Sequence, residues 1–158
     1  MDKYAAFYEE RKQKLFAYLI RVTGDYYLSG DIMQESFTRL LERYSQEERS
    51  VPLLYAIARN LVLDGARRQA GTVHLEGEQS DRSVDQERLL MAREEYRRVL
   101  SAMQQLGKEE RDVLALAVSG ELSYREIASV AGISESNVKV KVHRARLKLR
   151  EILQEGDV

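Results

Sequence analysis

The chain has no cysteine and only one proline, Pro52, among its 158 residues. The lack of cysteine excludes disulfides, thiolate metal ligands and thiol nucleophiles, and it fits a protein that folds in a reducing compartment. Alternating β-branched runs are also missing, whereas leucine, alanine, glutamate, arginine and lysine are abundant, a composition that favours helices. We therefore predict an all-α protein.

Long apolar runs are absent as well. No stretch approaches the roughly 18 to 20 consecutive apolar residues that a membrane-spanning helix needs. The first residues, Met1 to Tyr4, lack the layout of a secretion signal. We therefore expect no direct membrane insertion and a cytoplasmic location.

Residues suited to catalysis are few. The two histidines, His74 and His143, lie far apart in the sequence, so neither belongs to a metal-binding or catalytic cluster. The chain also lacks a glycine-rich phosphate-binding motif. We predict no catalytic residue, no metal and no cofactor, and an enzyme with an unrecognised helical fold remains an alternative reading.

Charge is distributed unevenly, although the formal net charge is only -1. The segment from Leu75 to Gln86 is acidic, with Arg82 as its single basic residue, whereas no acid occurs from Ser136 to Arg150. Binding to nucleic acid depends on where charge lies more than on its sum. The basic stretch is therefore a candidate DNA-binding surface, and its basic residues are Lys139, Lys141, Arg144, Arg146, Lys148 and Arg150.

The first part of the chain has the apolar spacing of helices. One helix is predicted over about 4–22, with Gly24 placed to end it. A second is predicted to be capped by Ser29 or Asp31, with a core stripe of Met33, Phe37, Leu40, Leu41 and Tyr44. Its opposite face is polar and carries Asp31, Gln34, Glu35 and Arg39.

A loop over 45–52 leads into a third predicted helix, because proline suits a first helical turn. Its core side holds Leu54, Ile57, Ala58, Leu61 and Gly65, and its other side holds Arg59, Asn60, Leu63 and Arg67. Residues 70–88 are polar and acidic, without a core stripe. We therefore predict two small helical domains, 1–69 and 89–158, joined by a flexible acidic linker.

The C-terminal domain contains two consecutive helix-start signals. Ser123 can cap one helix and, with Glu126 three residues later, complete a capping box. Gly132 then ends that helix, and Ser134 caps the next. Two short helices joined by a tight glycine turn form a helix-turn-helix, in which the second helix enters the major groove of DNA.

The second of these helices has two distinct faces. Its core stripe follows helical spacing and consists of Val138, Val142, Ala145, Leu149 and Ile152. The opposite face mixes basic, polar and apolar side chains, which suits phosphates, base edges and thymine methyl groups. We predict that it binds duplex DNA through Ser136, Lys139, Val140, His143 and Arg144, and a merely solvated basic face is the simpler alternative.

Two regions resemble the extracytoplasmic-function sigma factors of bacterial RNA polymerase. Residues 122–146 are similar to sigma domain 4, and the similarity is carried by Glu126-Ile127-Ala128, Gly132-Ile133-Ser134, Val138-Lys139 and His143-Arg144-Ala145. Residues 31–37 and 54–64 are similar to sigma domain 2. The resemblance implies an alternative sigma factor that directs promoter-specific transcription initiation, and not an enzyme.

The resemblance also implies partners and sites. It implies binding to the β and β′ subunits of core RNA polymerase, with Asp31, Gln34 and Glu35 on β′. Promoter DNA is expected at two places. The helix-turn-helix would hold the minus-35 element, and the loop 45–52 would read the melted minus-10 strand together with Arg59, Asn60, Leu63 and Arg67. An anti-sigma factor is the expected regulator.

A DNA-binding regulator that acts without joining the polymerase remains open. Such a protein would need the helix-turn-helix but not the polar row Asp31, Gln34 and Glu35.

Overall fold

The computed structural model describes residues 2–69 and 94–156, except for the side chains of residues 66–69. These ranges form seven helices and no strand, which confirms the all-α prediction. In these ranges no helix is both long enough and apolar enough to cross a membrane. The predicted linker, 70–88, lies outside the described residues. The helices are α1 (Lys3–Thr23), α2 (Tyr26–Arg43), α3 (Val51–Gln69), α4 (Glu94–Gln104), α5 (Lys108–Val118), α6 (Tyr124–Ala131) and α7 (Glu135–Glu155).

Helices α1, α2 and α3 share a core of aromatic and aliphatic side chains. Tyr18, Phe37 and Tyr55 are almost completely buried. The Phe37 ring meets the Tyr8 ring edge to face, with 4.7 Å between centroids. Because each buried aromatic side chain removes roughly 150–250 Å² from water, these rings account for much of the packing of the unit. The predicted core residues Leu54, Ile57 and Ala58 are buried beside them.

The prediction that Ser29 or Asp31 caps α2 is wrong. The helix begins at Tyr26, and the Asp25 carboxylate accepts hydrogen bonds from the backbone N–H groups of Tyr27 and Leu28 at 3.1 and 3.0 Å. Ser29 lies within the helix, where its hydroxyl donates to the Asp25 carbonyl at 2.7 Å. The earlier aspartate satisfies the first free N–H groups of the helix, so the later residues are interior ones.

The core stripe predicted for α2 is also displaced by part of a turn. Leu41, predicted to be buried, is 44% exposed, and Met33 and Tyr44 are only partly buried. The buried side of α2 is centred on positions that point towards α1 and α3, and these are Ser29, Ile32, Ser36, Phe37 and Leu40.

Arg111 of α5 fixes the carboxyl end of α4. Its Nε donates to the Met103 carbonyl at 2.9 Å, and its Nη2 donates to the carbonyls of Gln104 and Leu106 at 2.8 and 2.9 Å. The last carbonyls of a helix have no donor within the helix. One guanidinium therefore supplies donors to three carbonyls at this end of α4 and at the turn that follows it.

The two groups of helices, α1–α3 and α4–α7, pack against each other. Helix α1 contacts α4 and α5, and α3 contacts α6. Their buried residues form one continuous apolar cluster that runs from Leu15 and Leu54 to Ile127 and Val142. The predicted domains are therefore in contact in this structure.

Replacing Gly132 with alanine is expected to destabilise the fold by about 1–2 kcal/mol. Gly132 has a φ of 70°, which strains any residue with an L side chain. The cost comes from the backbone alone, because an added methyl group would meet no atom within 4 Å. Unfolding by urea measures the change.

Gly30→Ala is the matched control for this prediction. An added methyl group would again meet nothing within 4 Å, but Gly30 lies inside α2, where alanine is favoured over glycine by roughly 0.5–1 kcal/mol. The two substitutions should change the free energy of unfolding in opposite directions. Equal destabilisation by both would contradict the assignment of Gly132 as a left-handed cap.

Candidate nucleic-acid interface

The helix-turn-helix forms as the sequence predicts. The Ser123 hydroxyl accepts from the Glu126 N–H at 3.1 Å, and the Glu126 carboxylate accepts from the Ser123 N–H at 2.9 Å, which completes the capping box. Gly132 ends α6 in a left-handed conformation, and the Ser134 hydroxyl accepts from the Asn137 N–H at 3.0 Å. These local bonds fix the angle at which α7 leaves the turn.

Helix α7 turns its predicted apolar stripe inward and its predicted DNA face outward. Val138, Val142 and Ala145 are buried. All five residues of the predicted minus-35 face are exposed, namely Ser136, Lys139, Val140, His143 and Arg144. Val140 is 43% exposed even though it is apolar, and an apolar side chain on an exposed basic face suits contact with a thymine methyl group.

The basic residues of α7 fall into two groups that the sequence did not distinguish. Lys141 pairs with Glu109 of α5 at 2.7 Å, and Lys148 lies 3.9 Å from Glu110 of the same helix. Lys139 is exposed and, in the described part of the chain, takes no part in an ion pair. Lys141 and Lys148 therefore pair with α5, whereas Lys139 and Arg144 face outward on the candidate DNA surface.

The polar row on α2 is placed where the sequence predicts. Asp31, Gln34 and Glu35 are exposed on one side of the helix. Gln34 donates from Nε2 to the Tyr8 hydroxyl at 2.9 Å, and the Glu35 carboxylate accepts from Nε of Arg39 at 2.9 Å. The row is thus an accessible acidic surface whose middle residue is anchored to α1.

The four predicted minus-10 residues on α3 do not share one environment. Asn60 and Leu63 are exposed, Leu63 to 42%. The side chain of Arg67 lies outside the described residues. The prediction that Arg59 lies on the open side of α3, away from the core, is wrong: its Nε lies 2.6 Å from an Asp112 carboxylate oxygen and its side chain is only 23% exposed.

Asp112 holds a second partner from the other group of helices. The buried Tyr18 hydroxyl donates to its other carboxylate oxygen at 2.6 Å. Burial, more than the neighbouring Asp112 charge, raises the pKa of Tyr18, so the hydroxyl stays protonated and remains a donor. Sequence reasoning missed both residues, because helical spacing makes Tyr18 a core position of α1 and Asp112 a solvated one of α5.

The loop between α2 and α3 borders a small recess of about 160 Å³, lined by Lys3, Tyr4, Phe7, Gln46 and Arg49. The Arg49 guanidinium lies over the Tyr4 ring, 5.8 Å from its centroid, and its Nε donates to the Tyr44 carbonyl at 3.1 Å. Aromatic and cationic groups side by side suit the stacking and charge of single-stranded DNA.

In the described ranges no group of three or more His, Asp or Glu side chains could hold a metal ion.

A three-helix unit followed by a helical unit with a helix-turn-helix is the layout that the resemblance to sigma factors predicts. Residues 7–72 match Sigma-70 region 2, and residues 96–149 match Sigma-70, region 4. The ECF RNA polymerase sigma factor SigL of Mycobacterium tuberculosis is 30% identical over 165 residues, which cover 95% of this chain and 88% of SigL. SigM of Bacillus subtilis is 28% identical over 153 residues, 94% of each chain.

The chain therefore belongs to the extracytoplasmic-function (ECF) sigma factors of RNA polymerase. It is an alternative sigma factor that directs promoter-specific transcription initiation. Solved structures share its fold. The sigma factor RpoE of Bartonella quintana, crystallised with the anti-sigma factor NepR, has a TM-score of 0.73 at 17% identity and covers 98% of both chains. CnrH, in complex with the cytosolic domain of CnrY, has a TM-score of 0.70 at 21% identity and covers 96% of this chain and 88% of CnrH.

Proposed function

We propose that the chain binds core RNA polymerase through α2, at Asp31, Gln34 and Glu35, and promoter DNA through α3 and α7. The observation that carries this proposal is that two exposed surfaces of opposite charge lie on different helices. The acidic row on α2 and the basic face of α7 are both exposed and have opposite charge. One can therefore bind a positively charged protein surface while the other binds DNA.

The residues divide between two promoter elements. Ser136, Lys139, Val140, His143 and Arg144 hold the minus-35 duplex. Asn60, Leu63, Arg67 and the loop 45–52 read the unpaired minus-10 strand, and Arg59 joins them once it leaves Asp112. The exposed positions of Asn60 and Leu63, together with the recess beside Arg49, support this division. In domain terms, 1–69 binds polymerase and the minus-10 element, 70–88 is a linker, and 89–158 binds the minus-35 element.

The remaining features follow from this role. The partner is core polymerase, through its β and β′ subunits, so the chain works in the cytoplasm, where that enzyme is. It supplies recognition and no catalytic group of its own. An anti-sigma factor is its expected regulator, and the relative RpoE, crystallised with NepR, supports that expectation.

Direct association with core polymerase tests the proposal. The purified chain is mixed with core enzyme and passed over a gel-filtration column. We expect the chain to elute with the enzyme, because a sigma factor is a subunit of the initiating complex. A regulator that binds only DNA would elute separately at its own size, and that result would contradict the proposal.

A further inference from the structure

Three side chains from three helices meet where the two groups of helices touch. The Asp112 carboxylate of α5 lies 2.6 Å from the Tyr18 hydroxyl of α1 and 2.6 Å from the Arg59 Nε of α3. Both members of the ion pair are largely shielded, with side chains 14% exposed for Asp112 and 23% for Arg59. We call these three residues the Asp112 junction.

Further polar contacts cross between the groups around this junction. Arg11 of α1 pairs with Glu121 at 3.3 Å, and the Glu121 side chain is only 7% exposed. Gln104 Nε2 donates to the Arg21 carbonyl at 3.2 Å, and Arg111 Nη1 reaches the Val22 carbonyl at 3.4 Å. The contact is therefore specific, because each of these side chains has a defined partner across it.

The two groups of helices do not pack closely along the whole of their contact. A cleft of about 320 Å³ lies beside Arg59 and Asp112, and Val22, Val62 and Leu63 form part of its apolar wall. Buried apolar residues also meet across this contact, but contacts between domains of one chain resemble transient interfaces and commonly permit relative movement of the domains. Such a contact can hold a preferred arrangement and still open when a stronger partner competes.

We infer that the Asp112 junction is an autoinhibitory latch, in which the Asp112 carboxylate occupies Arg59 in place of DNA. A carboxylate and a DNA phosphate offer a guanidinium the same kind of charged hydrogen bond. While the latch is closed, Arg59 is withheld from single-stranded DNA, whereas Lys139 and Arg144 of the minus-35 face remain exposed. This inference rests on the proposed function, because it regulates the same minus-10 surface.

Asp112→Asn tests the latch in the full-length chain. Asparagine keeps the size of the side chain but removes the charge that holds Arg59. The probe is a fluorescein-labelled single strand that carries the non-template minus-10 sequence of a promoter mapped in the native host. We expect the free variant to bind this strand about tenfold more tightly than the wild type, with unchanged binding to a minus-35 duplex.

Two controls identify the cause of that change. Glu110→Gln removes a charge from the same helix, but Glu110 faces Lys148 within its own group of helices, so we expect no gain. In the double variant Asp112→Asn/Arg59→Ala, the gain should disappear because the released group is missing. An equal gain in Glu110→Gln, or a gain that survives the loss of Arg59, would overturn the inference.

A distance measurement separates this inference from the proposed function. The chain has no native cysteine, so dyes can be placed specifically at the exposed positions Gln13 and Gln154 by cysteine substitution. We expect lower energy transfer in Asp112→Asn and, to a smaller extent, in Tyr18→Phe, which removes one hydrogen bond and keeps the ion pair. Unchanged transfer in both variants would overturn the latch, whereas failure of the wild-type chain to bind core polymerase would instead overturn the proposed function.

Discussion

Charge reversal of the acidic row on α2, by Asp31→Lys and Glu35→Lys together, is expected to lower affinity for core polymerase by at least about a hundredfold. Both side chains are exposed, so the substitutions remove no buried group. Glu35 pairs with Arg39, one helical turn away, and such a surface pair contributes roughly 0.3–0.5 kcal/mol. The fold should therefore survive while the recognition surface changes sign.

A matched variant separates the position of the charge from its amount. Glu9→Lys with Glu10→Lys makes the same change in net charge on α1, where the two side chains are 60% and 65% exposed. Titration of labelled chain with core polymerase should show near wild-type affinity for this control. If both double variants lose affinity equally, α2 is not the specific polymerase-binding surface.

Removal of the outward-facing charges of α7, by Lys139→Ala with Arg144→Ala, is expected to weaken binding to a minus-35 duplex by at least about tenfold. Both side chains are exposed, on the side of the helix opposite its buried stripe. The slope of log affinity against log salt should also become shallower, by about 0.9 for every phosphate that the variant no longer neutralises. Fluorescence anisotropy of the duplex at several salt concentrations measures both effects.

Lys141→Ala is the control on the same helix. Lys141 is bound to Glu109 and its side chain is only 19% exposed, so its removal should leave the salt slope nearly unchanged. A loss of DNA affinity equal to that of the double variant would mean that α7 acts through its total charge and has no defined DNA face.

Local signals of the helix-turn-helix were readable from the sequence. The capping box of Ser123 and Glu126, the cap at Ser134 and the left-handed Gly132 all depend on neighbours within a few residues. The spacing of apolar residues likewise predicted which side of α7 is buried. In α2 the same kind of reasoning failed, because an aspartate that directly follows Gly24 provided an earlier cap than the ones considered.

The position of Arg59 could not be predicted in this way. Its partner Asp112 is 53 residues away, and Tyr18 is 94 residues from Asp112. Helical periodicity assigns each residue to a face of its own helix but says nothing about which helix covers that face. The division between Lys141 and Lys139 is equally a product of packing, since only the position of α5 determines which lysine has an acidic partner.

Transcription reconstituted from purified components tests the central claim most directly. Core polymerase is combined with the chain on a linear template that carries a promoter mapped in the native host, and run-off products are sized. We predict transcripts from one defined start site with the wild-type chain, and none with core enzyme alone or with Asp31→Lys/Glu35→Lys. Defined transcripts from that double variant, or their absence with the wild-type chain, would contradict the account.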